Sequence, residues 1–204
     1  NLLKWQRTIQ LDPKDRSLIK VYNRIDNQCT IHEINANTTT TAKSLYKFVS
    51  TLKLSRGAVR EAMLASCLFY SFIHHKNPRN IDEVSKVFDI NPKKVNKTNK
   101  ILSQYLWHSD IYKHLVLDIS NCEQIAHRYC NTININPVHT SGIVKIANEY
   151  EKEEFMIGKD SSYITALAIY KYSIDNNLHI TKDDICEACF LSTVTLNKLL
   201  KSIK

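Results

Sequence analysis

Glycine and proline are scarce in this chain, 3 and 4 among 204 residues. Hairpins, bulges and tight turns draw on both, so the composition counts against a turn-rich all-β architecture. It also counts against a glycine-rich loop that cradles phosphates. No apolar run approaches the roughly eighteen residues that cross a bilayer. The opening stretch NLLKWQRTIQLDPKD has no charged start followed by a long apolar core, the pattern of a secretory leader. GxSxG, HExxH and P-loop strings are missing, so no enzymatic reaction is expected, and neither is a small-molecule substrate or a membrane partner.

What is present is a helical grammar. Six cysteines (Cys29, Cys67, Cys122, Cys130, Cys186 and Cys189) would suffice for three bridges, but all except Cys29 fall within helix-like apolar patterns. Free cysteine behaves there as a small hydrophobe. Reduced thiols are expected, and with them an intracellular, reducing compartment (nucleus or cytoplasm) rather than secretion. Cys186 and Cys189 match a CxxC string, but a zinc site takes four ligands and no second CxxC follows. His74 and His75 are adjacent, which on a helix turns them about 100° apart and away from a common ligand. No metal site is expected in the chain.

Charge is unevenly spread. The formal total is +8. Residues 1–118 hold 19 Lys and Arg against 10 Asp and Glu, whereas residues 119–204 hold 9 against 10. A basic first half favours a polyanion or an acidic protein as partner.

Taken in order, residues 1–15 read as an arm ending near Asp12-Pro13. A helix from about Arg16 to Ile25 follows, then a polar break through the threonines Thr38 to Thr41. A second helix carries Ala42, Leu45, Tyr46, Val49 and Leu52, and a third runs from Ala58 to about His75. Asn80 with Glu83 opens a short fourth helix, and Asn91-Pro92 opens a fifth through Tyr105. Trp107 to Asp118 is too apolar for a free tether and reads as a packed connector. Five helices then recur: one on Cys122, Ile125, Ala126 and Tyr129; one opened by Asn136-Pro137; the run from Gly158 to Tyr170; one capped by Thr181 with Asp184; and one capped by Ser192. The last is expected to bury Leu196, Leu199, Leu200 and Ile203.

A shift of 101 positions superimposes Gly57 on Gly158, Ala65 on Ala166, Glu83-Val84 on Asp184-Ile185 and Asn96-Lys97 on Asn197-Lys198 without a gap. Self-similarity at a fixed period marks a duplicated architecture. The expected fold is all-α, two tandem five-helix repeats, with boundaries at 16–106 and 119–204 and a connector at 107–118.

In each repeat the fourth and fifth helices have the proportions of a helix-turn-helix. Its second helix meets the major groove with its N-terminal residues. In the second repeat the candidate DNA-binding residues are Thr193, Val194, Thr195, Asn197, Lys198 and Lys201, of which Thr193, Asn197, Lys198 and Lys201 face out if Leu196, Leu199, Leu200 and Ile203 face in. An Asn amide matches adenine, and Val and Thr methyls match the thymine methyl. The first repeat offers Lys93, Lys94, Lys97 and Lys100, which suit phosphates.

At this point the residues resemble transcription factor IIB and its archaeal counterpart. Leu3-Lys4-Trp5-Gln6-Arg7 is similar to the family's archaeal LRKWQ segment, Ala65 to Phe69 to its AACLY, and Gly158 to Tyr170 to its GRxPxxxAAAAIY. Ser192 to Leu196 resembles the start of its recognition helix. The resemblance covers essentially the whole chain and implies cyclin-like repeats. It also implies a non-enzymatic general initiation factor, bound to promoter DNA with TATA-binding protein and recruiting DNA-directed RNA polymerase. By matched position Val194 and Thr195 would face bases. Lys93, Lys97 and Lys100, with Arg56, Arg60 and Lys159 near the turns, would face phosphates or the partner, and Lys4, Trp5 and Arg7 would form a polymerase-contacting arm. A zinc ribbon would lie upstream of Asn1, so no cofactor is expected within these residues. Where the family carries arginine in its recognition helix this chain has Asn197, and the guanine-directed readout does not transfer. The divergence and AT-biased composition suggest a homologue from a large DNA virus, acting in the viral factory. A cyclin-type protein-interaction module without DNA binding is the alternative that shares the fold.

Overall fold

The computed structural model describes residues 12–52, 57–117, 122–156 and 159–201. Among them are eleven α-helices, one 3₁₀ turn and no strand. They separate into two compact units. The first runs to His75 and resumes over Ile81–Lys113; the second holds Lys76–Asn80 and the residues from His114 onward. Gly158, Ile203 and the arm residues Lys4, Trp5 and Arg7 lie outside the described residues.

In the first unit, α1 (Pro13–Ile31) starts earlier than the periodicity suggests. Asp12 Oδ1 accepts from the Lys14 N–H at 3.4 Å, and Pro13 fits the first helical turn, where a missing N–H costs nothing. Val21, Ile25 and Cys29 fall four residues apart and form the buried stripe. The threonine run is not a break. Asn35 caps α2 (Ala36–Leu52) through the Asn37 N–H at 2.8 Å. Thr39, Thr40 and Thr41 then donate to the carbonyls of Asn35, Ala36 and Asn37 at 3.1, 2.9 and 3.1 Å. Back-bonding to the preceding turn lets hydroxyl side chains sit inside a helix that composition alone would not grant them.

The third helix, α3 (Gly57–His74), is buried on almost every side from Ala62 to Ile73. It lies against α2, α4 (Ile81–Val87) and α5 (Pro92–Trp107). Asn91 caps α5 through the Lys93 N–H at 2.9 Å. α5 is fastened to α3 by a buried hydroxyl pair: Ser66 Oγ stands 2.8 Å from Thr98 Oγ1, which also reaches the Ala62 carbonyl at 3.1 Å. Beyond α5, the Tyr112 ring rests 5.2 Å from Phe48, so the connector packs back onto α2 before the short α6 (Lys113–Leu117).

The second unit repeats the plan with α7 (Cys122–Thr132), α8 (Pro137–Tyr150), the 3₁₀ turn Glu154–Met156, α9 (Ser161–Asp175), α10 (Lys182–Ala188) and α11 (Thr193–Lys201). α9 lies against α7, α8, α10 and α11 and buries Ile164 through Ile169. Asp160 caps it at 2.8 Å from the Ser162 N–H, so the helix begins three residues after Gly158. Asn136 caps α8, and Thr181 with Asp184 forms a reciprocal capping box on α10. Tyr129, deep in the core, donates to Ser162 Oγ at 3.1 Å and ties α7 to α9. The Ser66–Thr98 pair has Leu167 and Leu199 at its positions in this unit, both buried. A satisfied polar pair and an apolar pair fill the same place in the two halves, as expected when both partners change together.

The 101-residue register extends to the backbone. Three pairs of left-handed residues share it: Glu33 and Asn134 at φ 52° and 59°, Lys76 and Asn177 at 55° and 51°, Asp89 and Phe190 at 54° and 56°. They end corresponding helices, and the next N–H reaches back to close the cap, as in Ile34 to the Cys29 carbonyl at 2.8 Å and Ile135 to the Cys130 carbonyl at 2.9 Å. Glycine usually takes this place. Here none of the six is glycine, which is how the chain stops its helices with so few of them.

Candidate nucleic-acid interface

α5 presents its polar side as lysine. Lys93, Lys94, Lys97 and Lys100 are all exposed, while Val95, Thr98 and Leu102 are turned into the core. The helix carries no carboxylate, and its first turn holds no acidic residue. Helix N-termini favour negative charge by a few tenths to about 1 kcal/mol. Two lysines in that turn leave a local excess of positive charge that an anion would relieve. Arg60 sits half-buried in the first turn of α3, and Arg56 lies outside the described residues.

In the second unit α11 follows α10 after a four-residue turn. Ser192 accepts from the Thr195 N–H at 3.1 Å, starting the helix. Leu196 and Leu199 are buried and Leu200 partly so, which turns Thr193, Val194, Asn197, Lys198 and Lys201 outward. Val194 is 61% exposed. Thr195 is not wholly available: it is half-buried, and its hydroxyl lies 2.8 Å from Ser192 Oγ. Lys198 and Lys201 also lie in the last turn, where cations complement the helix dipole. Lys159 is exposed immediately before the cap of α9. The structure thus gathers the α5 lysines on one helix of the first unit. The α11 set belongs to the second unit, with Lys159 on a different element from either.

One polar residue of this surface has no signal in the sequence. Lys182, at the start of α10, donates from Nζ to Asn197 Oδ1 at 3.0 Å, and the same ammonium stands 5.3 Å from the centroid of the Tyr170 ring. Fifteen residues separate Lys182 from Asn197, so only the helix-turn-helix fold brings them together.

The remaining titratable groups read as structural. None of the six cysteines is in a disulfide, and all are buried. Burial pushes Cys122 and Cys130 up to about 11 and Cys67 further, so the thiols stay protonated and poorly nucleophilic. His75 Nε2 lies 2.9 Å from Thr41 Oγ1 and links α3 to α2, while His74 meets its ring edge-on. Thr181, through its hydroxyl and its N–H, lowers the pKa of Asp184, a cap rather than an acid for catalysis. Among the described residues no three His, Cys, Asp or Glu gather around a possible metal position, and no helix is long and apolar enough to cross a membrane.

Residues 14–105 match the family described as transcription factor TFIIB repeat. Over 98% of its length the chain is 30% identical to a transcription initiation factor IIB-like protein of Acanthamoeba polyphaga mimivirus, covering 46% of that protein. It is 24% identical to transcription initiation factor IIB of Methanoculleus marisnigri over 99% of this chain and 58% of the relative. Against transcription initiation factor IIB 1 of Thermoplasma volcanium the identity is 22%, over 99% of this chain and 63% of the relative. The chain spans about half the length of the relatives it matches.

Proposed function

Because the chain belongs to the transcription factor IIB family, we propose that it is a non-catalytic initiation factor that binds promoter DNA together with TATA-binding protein and recruits DNA-directed RNA polymerase. The observation that carries the DNA part is the α5 face: four exposed lysines and no carboxylate on one helix. Those lysines neutralise phosphates and set the register without reading sequence. α11 supplies the base-facing residues, with Val194 suited to a thymine methyl and Asn197, Lys198 and Lys201 beside it. Arg60 and Lys159 add charge near the helix starts. Buried, protonated thiols fit an intracellular location.

A gel shift on an AT-rich promoter duplex tests this reading. The chain is expected to retard the duplex at low salt and to retard further a duplex already bound by TATA-binding protein. Failure to shift either species, with a kinase recovered in a pull-down in place of polymerase subunits, would favour a cyclin-type interaction module instead.

A further inference from the structure

Between the start of α1 and the end of α2 the first unit leaves an open cleft of about 580 Å³. That lies within the roughly 300 to 1,000 Å³ of ordinary ligand sites. Its lining has an apolar part: Tyr46 is buried, Leu18 is half-buried, and Leu52 stays 52% exposed at the end of α2. Lys14 and Lys47 also line it; both are exposed, and neither has an ion-pair partner among the described residues. Lys43, one turn before Lys47 on α2, is already spent: it pairs with Asp26 and stands 5.8 Å from the centroid of the Tyr22 ring. The seam between α1 and α2 is thus neutralised at Lys43 and carries two unmatched ammoniums where it opens.

We propose that this cleft docks an extended segment of a partner protein in which an apolar side chain is flanked by carboxylates. The hydroxyls of the lining decide for peptide over phosphate. Ser50 Oγ donates to the Lys47 carbonyl and Thr51 Oγ1 to the Phe48 carbonyl, each at 2.7 Å. Each therefore keeps only lone pairs for a ligand. Asp15 adds a carboxylate to the same lining. Phosphate oxygens only accept, so a nucleic-acid backbone would meet three acceptor groups beside the two lysines. A peptide brings main-chain N–H groups for those acceptors and, through its own carboxylates, anions for Lys14 and Lys47. Its apolar side chain covers Leu18 and Leu52, the anchor that such docking needs. The cleft is built from α1 and α2 alone, apart from the α5 and α11 residues assigned to DNA.

The test is amide-resolved NMR of the full chain, titrated with a short synthetic peptide, blocked at both ends, that carries leucine between two aspartates. Saturating shifts are expected, confined to the amides of residues 14–18 and 46–52. Glycine in place of the peptide's leucine should weaken binding about 10-fold. Lys14→Glu with Lys47→Glu should weaken the acidic peptide by about 10-fold or more and confer binding of a peptide with lysines in place of its aspartates. Both substituted positions are exposed, and circular dichroism verifies that helix content is unchanged. No shift at millimolar peptide, shifts spread over other helices, or equal binding by the unaltered and charge-swapped chains overturns the proposal. So does a promoter duplex that moves these amides where the peptide does not, because the lysines would then serve nucleic acid. None of these results bears on the α5 lysines, so the promoter-binding reading stands or falls separately.

Discussion

Replacing Lys93, Lys94, Lys97 and Lys100 together by glutamine is expected to weaken promoter binding on the order of 100-fold at about 0.1 M salt. Each phosphate contact releases condensed counterions, so the slope of log K against log salt should flatten by about 0.9 per lysine, or roughly 3 to 4 units in all. All four side chains are exposed, and the apolar stripe of α5 is untouched, so the fold should survive. Lys14→Gln with Lys20→Gln, on exposed positions of α1 in the same unit, is the control for lost surface charge and should cost far less per lysine removed. Sequence preference should persist in the quadruple variant at reduced affinity, because the residues proposed to face bases are on α11. Anisotropy titrations at several salt concentrations read both quantities.

The largest stability effect is expected at Tyr129. Its side chain is 1% exposed and its hydroxyl donates to Ser162 Oγ at 3.1 Å. Tyr129→Ala removes a large buried ring and leaves Ser162 without that bond, a loss of about 3 to 5 kcal/mol by analogy with other buried aromatics. Tyr129→Phe keeps the volume and removes one hydrogen bond, a loss of about 1 kcal/mol. Urea denaturation followed by circular dichroism separates the two. Equal losses for both variants would mean that the hydrogen bond, and not the packing of α7 on α9, dominates. Because α11 also rests on α9, Tyr129→Ala should weaken DNA binding through loss of folded protein, and stabilising osmolyte should restore it.

The duplication is legible in the sequence because it rests on caps and apolar positions, which carry strong local signals. Asn91-Pro92 and Asn136-Pro137 start helices where expected, and Thr181 with Asp184 forms the capping box that its spacing foretells. The buried central helices follow from runs such as Ala65 to Phe69 and Ile164 to Ile169, apolar all round rather than striped. The threonine run in α2 is opaque because β-branched polar residues carry low helix propensity; in the structure Thr39, Thr40 and Thr41 bond back to the preceding turn, and Thr38 and Thr39 are buried. Helix ends were opaque for a related reason. Glu33, Lys76, Asp89, Asn134, Asn177 and Phe190 take left-handed conformations without being glycine. Phe190 is the most unusual of these, since a bulky side chain in that region is rare.

At the interface the exposed lysines of α5 and the outward face of α11 could be read from helical spacing alone. What spacing could not give is the state of each polar group. Thr195 spends its hydroxyl near the cap, and Asn197 gives its oxygen to a lysine on another helix. Both facts depend on how α10 turns into α11. The arm residues Lys4, Trp5 and Arg7, together with Arg56, lie outside the described residues, and their proposed contacts rest on the family resemblance.

The affinity of the unaltered chain for an AT-rich promoter duplex, measured from about 50 to 300 mM salt, bears most directly on whether this is a DNA-binding initiation factor. With the four α5 lysines on phosphates, log K should fall linearly with log salt with a slope of about −4 or steeper. Binding that is absent at the lowest salt, or that stays flat across the range, would contradict it.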